Sequence, residues 1–224
     1  MKYYSQCKQD KFFNEVIFKS KRNGVFVDIG ANDGITFSNT YFFEKELDWK
    51  GLCIEPLEET FKKLQFARKC MLVNGCAASF NGTEIFFDVK GYGEMLSGLK
   101  SKYDPRHLKR LYKDVEEHGG SFNEIQMQCY EVNELLKKHK LFYIDFMSID
   151  TEGGELEILK AIDFKAFNIK ALTIENPFKY KELEKFMISK NFEKVKTLDV
   201  DEIFVNKNEY NFFKRIQFRR FNFF

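Results

Sequence analysis

The sequence lacks the features that mark membrane proteins, disulfide-bonded domains and zinc sites. No apolar run in its 224 residues approaches the roughly 18 that a membrane-spanning helix needs, and residues 1–13 are too polar for a signal peptide. The five cysteines are odd in number and form no CxxC pair, which disfavours a disulfide framework or a zinc site. These absences predict a cytoplasmic protein with reduced thiols.

An excess of charge of one sign is also missing. The net charge is +2, although residues 207–224 carry five basic residues and one acidic residue, so the rest of the chain is at about −2. A nucleic-acid-binding domain needs a basic surface to contact phosphates. The charge therefore disfavours a nucleic-acid partner.

Apolar runs of strand length alternate with segments of helical periodicity along the chain. This alternation predicts an α/β fold with a mostly parallel, doubly wound sheet and a C-terminal antiparallel hairpin. Asn81-Gly82, before the apolar residues 83–89, predicts a further hairpin turn. The predicted strands are 25–30, 51–55, 70–78, 144–150, 169–175 and the hairpin 195–206, and the predicted helices are 38–47, 57–64, 132–139, 155–162 and 180–190.

The length suits a single domain, 1–224, with three segments outside the regular alternation. Residues 1–24 form an N-terminal arm, and residues 207–224 form a basic, aromatic tail that we expect to pack on the domain or to remain disordered. Residues 91–124 contain an amphipathic helix but no predicted buried strand. Long insertions in compact domains are often functional, so we interpret this one as a lid over the site; a plain surface excursion is the alternative.

A strand followed by a glycine-containing turn, VDIGANDG at 27–34, predicts a ligand site at the start of a helix. Gly30 and Gly34 allow a ligand to approach the backbone closely. Asn32 stands where a dinucleotide site has its second glycine, and Asp28 would repel a phosphate. Asp28 would instead attract the cationic sulfonium or amino group of S-adenosylmethionine.

Two further strand ends carry acids. Glu55 ends the second predicted strand, where a carboxylate can accept hydrogen bonds from both ribose hydroxyls. Asp150 ends a later strand, with Glu152 and Glu155 close behind it. Carboxylates crowded at one place need a cationic ligand, a metal ion or a raised pKa to offset their repulsion. Glu155 and Glu157 are interpreted more simply, as acids in the first turn of a helix.

Four segments together resemble the FkbM-type methyltransferase family. They are SQCKQDKF (5–12), VFVDIGANDG (25–34), SNTYFFEKELDWKGLCIEP (38–56) and MSIDTEGGELEILKAIDF (147–164). The resemblance implies a Rossmann-like class I methyltransferase fold and S-adenosylmethionine as the methyl donor. It also implies O-methylation, often of sugars or other small hydroxylated metabolites.

The resemblance also implies roles for matching residues. The methionine part of the donor would lie against Asp28, Gly30 and Asn32, its ribose against Glu55, and its adenine near Ala77. Gln9 and Asp10 would cap the cofactor, although Lys8 replaces the glycine that the family prefers in this element.

Asp150 and Glu152 are the predicted catalytic residues, because they match the DxEG element beside the transferred methyl group. Asp150 is the preferred general base, aided by Glu152 or by a divalent ion that the two share. His107 and His118 are alternative bases if the insertion folds over the site, whereas His139 is interpreted as a packing residue. The alternatives to a small-molecule or glycan O-methyltransferase are an RNA 2′-O-methyltransferase and a non-catalytic donor-binding subunit.

Overall fold

The computed structural model describes residues 1–220 and shows the predicted alternation of strands and helices. Strands β1 to β3 and β8 to β11 form a seven-stranded sheet in the order β10-β11-β9-β8-β1-β2-β3. The pairs among β3, β2, β1, β8 and β9 are parallel, whereas β11 runs antiparallel to both β9 and β10. The strands are β1 (Val25–Ile29), β2 (Lys50–Glu55), β3 (Met71–Asn74), β8 (Tyr143–Ile149), β9 (Asn168–Glu175), β10 (Phe192–Leu198) and β11 (Asp201–Asn206). The predicted parallel sheet and its C-terminal antiparallel hairpin are confirmed.

The central strands are buried on both faces, as parallel strands covered by helices must be. Successive side chains of β1 enter two different apolar cores: Val27 joins one and Phe26 the other. The helices are α1 (Gln9–Phe12), α2 (Tyr41–Leu47), α3 (Glu58–Ala67), α4 (Pro105–His118), α5 (Val132–Lys138), α6 (Glu155–Ala161), α7 (Lys181–Ser189) and α8 (Phe212–Arg220). None of these helices within residues 1–220 is long and apolar enough to cross a membrane.

The N-terminal arm is part of the core. Helix α1 continues into a π-helical segment, Phe13–Phe18, whose aromatic side chains are buried. The ring centroids of Phe13 and Phe146 are 4.0 Å apart, and Phe18 packs against Trp49 at 5.0 Å. Burial of large aromatic rings contributes strongly to stability, so this arm fixes one face of the sheet.

The predicted third strand, 70–78, is wrong in one respect, because it divides at Gly75 between two sheets. After β3 the chain turns at Gly75, whose φ is +141°, and enters β4 (Cys76–Ala78). A Cβ on Gly75 would lie 2.6 Å from the ring of Tyr130, so the turn has room only for glycine.

A second, four-stranded sheet, in the order β4-β7-β5-β6, was not predicted. Its long strands β5 (Gly82–Gly91) and β7 (Gly120–Glu131) pair antiparallel along the full length of β5, and β4 pairs parallel with β7. The predicted hairpin turn at Asn81-Gly82 is therefore wrong. The Asn81 side chain instead accepts a hydrogen bond from the amide of Glu131 and donates one to Glu134, which fixes the start of β5 beside the end of β7.

The insertion, residues 91–124, connects β5 to β7 and includes the first part of β7, which is not buried. It also contains the two-residue buried strand β6 (Gly98–Leu99), so the expectation that it holds no buried strand is wrong. Short 3₁₀ turns at Glu94–Leu96 and Lys100–Lys102 flank β6 (Gly98–Leu99) and lead into α4. The side chain of Asp104 caps α4 by accepting a hydrogen bond from the amide of Arg106. Leu111 of α4 is fully buried against β5, so the insertion has a small core of its own.

The tail packs on the sheet as far as residue 220. Helix α8 buries Phe218, and Arg215 and Arg219 both form ion pairs with Glu193 of β10. Residues 221–224 of the predicted tail lie outside the described residues. In the described part, two of the basic side chains bind an acid of the protein itself.

Candidate cofactor-binding and active site

A cleft lies at the carboxyl ends of β1, β2 and β8. Open α/β sheets bind their ligands at this edge. The cleft lies between the two sheets, because β4, β5 and the insertion also line it. Of the predicted site residues, it is lined by Gly30, Asn32, Glu55, Ala77, Asp150 and Glu152.

Gly30 allows two strand ends to meet at the floor of the cleft. Its amide donates to the carbonyl of Ile54, at 3.0 Å, and its φ is +86°. A Cβ at this position would lie 1.7 Å from the carbonyl oxygen of Asp150. Glycine is therefore required here by the backbone at the end of the neighbouring strand β8.

The carboxylate of Glu55 is buried and held by two backbone amides. Asn32 donates to its Oε2 at 3.0 Å and Leu57 to its Oε1 at 2.9 Å. Burial raises the pKa of Glu55 to about 7, against the opposing effect of these hydrogen bonds. Each carboxylate oxygen has a further lone pair, so the side chain can still accept two hydrogen bonds from a ribose.

The segment from Gly75 to Phe80 forms the wall of the cleft beyond Glu55, together with Pro56 and Leu57. Ala77 is buried in this wall, with 4% of its surface exposed. An apolar wall of this kind suits a flat base. The adenine contact of Ala77 stays a prediction.

Asp28 does not line the cleft. Its carboxylate accepts a hydrogen bond from Thr40 Oγ1 at 2.5 Å, on the opposite side of β1. Arg68 donates to the same hydroxyl at 3.0 Å. Burial raises the pKa of Asp28, and the charge of Arg68 opposes that rise. The structure therefore places Asp28 in a buried polar network that supports the turn, away from the position expected for contact with a sulfonium.

Gln9 and Asp10 also lie outside the cleft lining. The Gln9 amide donates to Asp201 Oδ2 at 2.7 Å, and Asp10 accepts hydrogen bonds from the amides of Tyr4 and Ser5. Both side chains tie the N-terminal arm to the domain. The structure thus brings neither of them to the place where a cofactor cap was expected.

Three carboxylates meet at one side of the cleft. Oxygens of Asp150, Glu152 and Glu175 all lie within 4.8 Å of one another. Burial raises the pKa of Asp150 well above its ordinary value, and the charges of Glu152 and Asp201 add to the effect. A carboxylate with a raised pKa is suited to accept a proton near neutral pH.

Sequence reasoning missed Glu175. The register pairs Ile149 of β8 with Ile174 of β9, so the residues that follow, Asp150 and Glu175, end neighbouring parallel strands at the same edge. The signal was present, because an acid ends the strand IKALTIE just as one ends IDFMSID. Glu155, in contrast, accepts hydrogen bonds from the amides of Thr151 and Gly153 and serves to hold the loop.

One of the three histidines reaches this cluster. His107 of α4 is buried, and its Nε2 lies 3.1 Å from Oε2 of Glu152. His118 stacks on Tyr92, with ring centroids 4.2 Å apart, and His139 follows the end of α5. Of the two alternative bases in the insertion, the structure therefore places His107, and not His118, beside the acidic cluster.

The insertion borders the cleft next to the loop of residues 150–154. Gly98 packs against the backbone of Thr151 and Glu152, and a Cβ on Gly153 would lie 2.7 Å from the carbonyl oxygen of Lys102. Ser97, Leu99 and Lys102 line the cleft. Its position is that of a lid in contact with the residues that hold the acidic cluster.

These features define a class of protein. A glycine turn after β1, a buried acid after β2 and acids after β8 and β9 lie at the carboxyl edge of a seven-stranded sheet with an antiparallel hairpin. This is the arrangement of a Rossmann-like domain that binds a nucleoside cofactor. The family model "Methyltransferase FkbM domain" matches residues 28–214. The chain belongs to this family and is an S-adenosylmethionine-dependent methyltransferase.

Comparison with solved structures finds proteins of similar topology but low identity. A protein of the NADB-Rossmann superfamily from Streptococcus agalactiae is 13% identical, with a TM-score of 0.45 over 92% of this chain and 69% of that chain. Fibrillarin from Aeropyrum pernix, bound to S-adenosyl-L-methionine, is 10% identical, with a TM-score of 0.46 over 90% of this chain and 73% of the other. TrmK from M. capricolum, with S-adenosyl-homocysteine, is 11% identical, with a TM-score of 0.44 over 93% and 71%. A search of curated proteins gives no significant match.

Proposed function

We propose that this protein transfers the methyl group of S-adenosylmethionine to a hydroxyl of a sugar, a glycan or another small hydroxylated metabolite. The observation that carries the proposal is the carboxylate of Asp150, which lines the same cleft as Glu55 and is flanked by Glu152 and Glu175. An alcohol is a weak nucleophile, so its methylation needs a base within hydrogen-bond reach. Acids that line the cleft beside a cofactor site can also bind further hydroxyls of a saccharide.

The residues that fit the donor are those of the cleft floor and wall. Glu55 would bind the ribose hydroxyls, the wall around Ala77 the adenine, and the backbone at Gly30 the methionine part. When bound, the donor supplies an electrophilic methyl group on a positively charged sulfur. The raised pKa of Asp150 fits a neighbouring cation, because a positive charge offsets the repulsion among the carboxylates.

Asp150 is proposed to accept the proton of the acceptor hydroxyl. As the O–H bond breaks, the acceptor oxygen forms the new bond to the methyl carbon, and the carbon–sulfur bond breaks with its electrons left on sulfur. Methyl transfer of this kind gains most of its rate from the positions of the two reactants. The lid would hold the acceptor in place and keep water out.

A nucleic-acid acceptor is less well supported. The chain up to residue 206 has a charge of about −2, which gives little attraction to a phosphate backbone. Lys102 lines the cleft, but its Nζ is 2.7 Å from a carboxylate oxygen of Glu157. The ammonium group of Lys102 is therefore already bound by an acid of the protein itself.

The test is transfer of tritium from labelled S-adenosylmethionine to separate panels of saccharides, RNA and lipids. We expect label in a saccharide, and a loss of about 10²–10⁴ in turnover for Asp150→Asn, the usual range for a general base. Glu59→Gln is a matched control, because it removes an exposed carboxylate from the rim of the same cleft. Label in RNA alone, or full turnover by Asp150→Asn, would refute the proposed substrate class or the proposed base.

A further inference from the structure

The acidic cluster has the dimensions of a cation site. Asp150, Glu152 and Glu175 each offer one oxygen, and these oxygens lie within 4.8 Å of one another. Carboxylate oxygens bind Mg²⁺ or Mn²⁺ at about 2.1 Å, so two ligands on opposite sides of the ion are about 4.2 Å apart. Small side-chain movements are enough to bring all three oxygens to one ion. Each of the three residues is also partly exposed, and Asp150 and Glu152 line the cleft, so an ion can reach the cluster from there.

Among the described residues, the acidic cluster lacks the neighbouring lysines that another acid of β8 has. Burial tends to raise the pKa of Asp145, at the other end of β8, but Lys170 and Lys21 at 2.8 Å and 2.6 Å hold it below its usual range. Beside Asp150, Glu152 and Glu175, by contrast, the ion-pair nitrogen found within residues 1–220 is Nε2 of His107, 3.1 Å from Glu152. Asp145 has its cations within the protein, whereas the cluster fits a cation that comes from outside.

A buried histidine points at the cluster without a completed hydrogen bond. Nε2 of His107 is 3.1 Å from Oε2 of Glu152, but the two are not aligned for a hydrogen bond, and within residues 1–220 this nitrogen has no other partner. The His107 side chain is 5% exposed. A buried polar atom that lacks a partner costs free energy unless a ligand or a small rearrangement completes its bonding.

The backbone fixes Glu152 in the cluster. Its φ of +58° lies in the left-handed region, which is uncommon for glutamate. The Glu155 carboxylate holds the loop by accepting a hydrogen bond from the amide of Gly153. Gly98 of the lid packs against the loop, so a Cβ on Gly98 would lie 3.4 Å from the carbonyl oxygen of Glu152. Uncommon backbone conformations occur often at ligand sites, where the surrounding structure holds them in place.

We propose that Asp150, Glu152 and Glu175 bind a divalent cation that prefers oxygen ligands, Mg²⁺ or Mn²⁺, and that His107 is a positioning residue that orients Glu152. Histidine and carboxylate partners around metal ligands commonly act in this way. The role of the ion rests on the proposed function: it would bind two neighbouring hydroxyls of the acceptor and favour loss of the proton that Asp150 accepts. The cation site itself does not depend on the nature of the acceptor.

The test uses Mn²⁺ alone as the probe, with the full chain freed of metal by chelation. The signal of free Mn²⁺ in electron paramagnetic resonance disappears on binding, which gives both stoichiometry and affinity. We expect one ion per chain, and a loss of affinity of about tenfold or more for Glu175→Gln. Glu116→Gln is the matched control, since it removes an exposed acid from α4, the helix that carries His107, and should leave Mn²⁺ affinity unchanged.

His107 needs a separate comparison. His107→Ala should weaken Mn²⁺ binding about tenfold, and His107→Gln, which retains a hydrogen-bond donor, should restore part of the loss. Circular dichroism and binding of S-adenosylhomocysteine check that each variant is folded. A folded Glu175→Gln variant with unchanged Mn²⁺ affinity would overturn the proposal.

Saturating S-adenosylmethionine distinguishes the ion from the donor's own positive charge. We expect Mn²⁺ to stay bound when the donor is added. Displacement of Mn²⁺ by the donor would overturn the inference, because the carboxylates would then bind the sulfonium itself. Full sugar methylation in the presence of a chelator would refute the role of the cation and leave the proposed function intact. Tight Mn²⁺ binding together with transfer to RNA alone would support the cation site and refute the proposed substrate class.

Discussion

Glu55 gives the most quantitative prediction, because its carboxylate should contact the cofactor directly. Two hydrogen bonds from ribose hydroxyls to a charged acceptor contribute about 2–4 kcal/mol together. Glu55→Ala should therefore weaken S-adenosylhomocysteine binding by about 30- to 700-fold, at 1.4 kcal/mol for each factor of ten. Isothermal titration calorimetry measures this directly, and Glu59→Ala, at the exposed rim of the cleft, is the control.

The same residue predicts how binding depends on pH. The pKa of Glu55 is about 7 in the free protein, since burial raises it from an ordinary value of 4.5. The ribose hydroxyls favour the charged carboxylate, so binding lowers this pKa and releases a proton when the pH is below about 7. Affinity should therefore fall as the pH drops from 8 to 6, by up to about tenfold per pH unit below the free-protein pKa.

The Glu55→Gln variant separates this effect from the titration of the other acids in the cleft. Glutamine is nearly the same size but does not titrate, so the variant should bind weakly with a much flatter pH profile. Unchanged affinity in Glu55→Ala, or an equally steep pH profile in Glu55→Gln, would refute the assignment of Glu55 to the ribose.

Three other predictions test the support of the site. Replacing residues 92–119 by a short linker should leave S-adenosylhomocysteine binding intact and abolish transfer, because the lid contacts the acidic cluster; transfer at the normal rate would refute its role. Asp28→Asn should lower the melting temperature with little change in cofactor affinity, since Asp28 bonds Thr40 and lies outside the cleft lining; a large loss of affinity with normal stability would contradict this placement. Arg68→Met should destabilise the fold by about 3–5 kcal/mol in chemical denaturation, because Glu44 loses its ion-pair partner and the buried Asp28 loses a nearby positive charge. A loss below about 1 kcal/mol would contradict that reasoning.

The parallel sheet could be predicted from the sequence, because each of its central strands is a short apolar run that can be recognised locally. Residues 25–30, 51–55 and 144–150 are short apolar runs that end at a glycine, a glutamate and an aspartate. In such a sheet these ends must meet at one edge, so the positions of Gly30, Glu55 and Asp150 follow from topology alone.

The second sheet was not predictable in the same way. Strand β7 is exposed or half-buried over most of Gly120–Glu131, with Met127 and Cys129 buried near its end, and its pairing with β5 joins residues 29 to 47 positions apart. A turn signal such as Asn81-Gly82 specifies a local hairpin, but here the backbone amide of Glu131, at the distant end of β7, donates a hydrogen bond to the side chain of this asparagine. Non-local pairing prevailed over local propensity.

Side-chain direction explains why Asp28, a predicted site residue, does not line the cleft. Asp28 precedes Ile29 and Gly30 by one and two residues, and in a strand adjacent side chains point to opposite faces. Ile29 and Gly30 line the cleft, whereas Asp28 points to Thr40 and Arg68. Gln9 and Asp10 belong to an arm whose path across the domain no local pattern reveals.

The most direct test of the central claim is the fate of a ¹³C-labelled methyl group. The protein, methyl-labelled S-adenosylmethionine and the saccharide panel are incubated together, and the product is identified by nuclear magnetic resonance and mass spectrometry. We predict a labelled methyl group on a saccharide oxygen, an equal amount of S-adenosylhomocysteine, and neither product above background with Asp150→Asn. A methyl group on a nitrogen or carbon atom, or on RNA in place of a saccharide, would contradict the account.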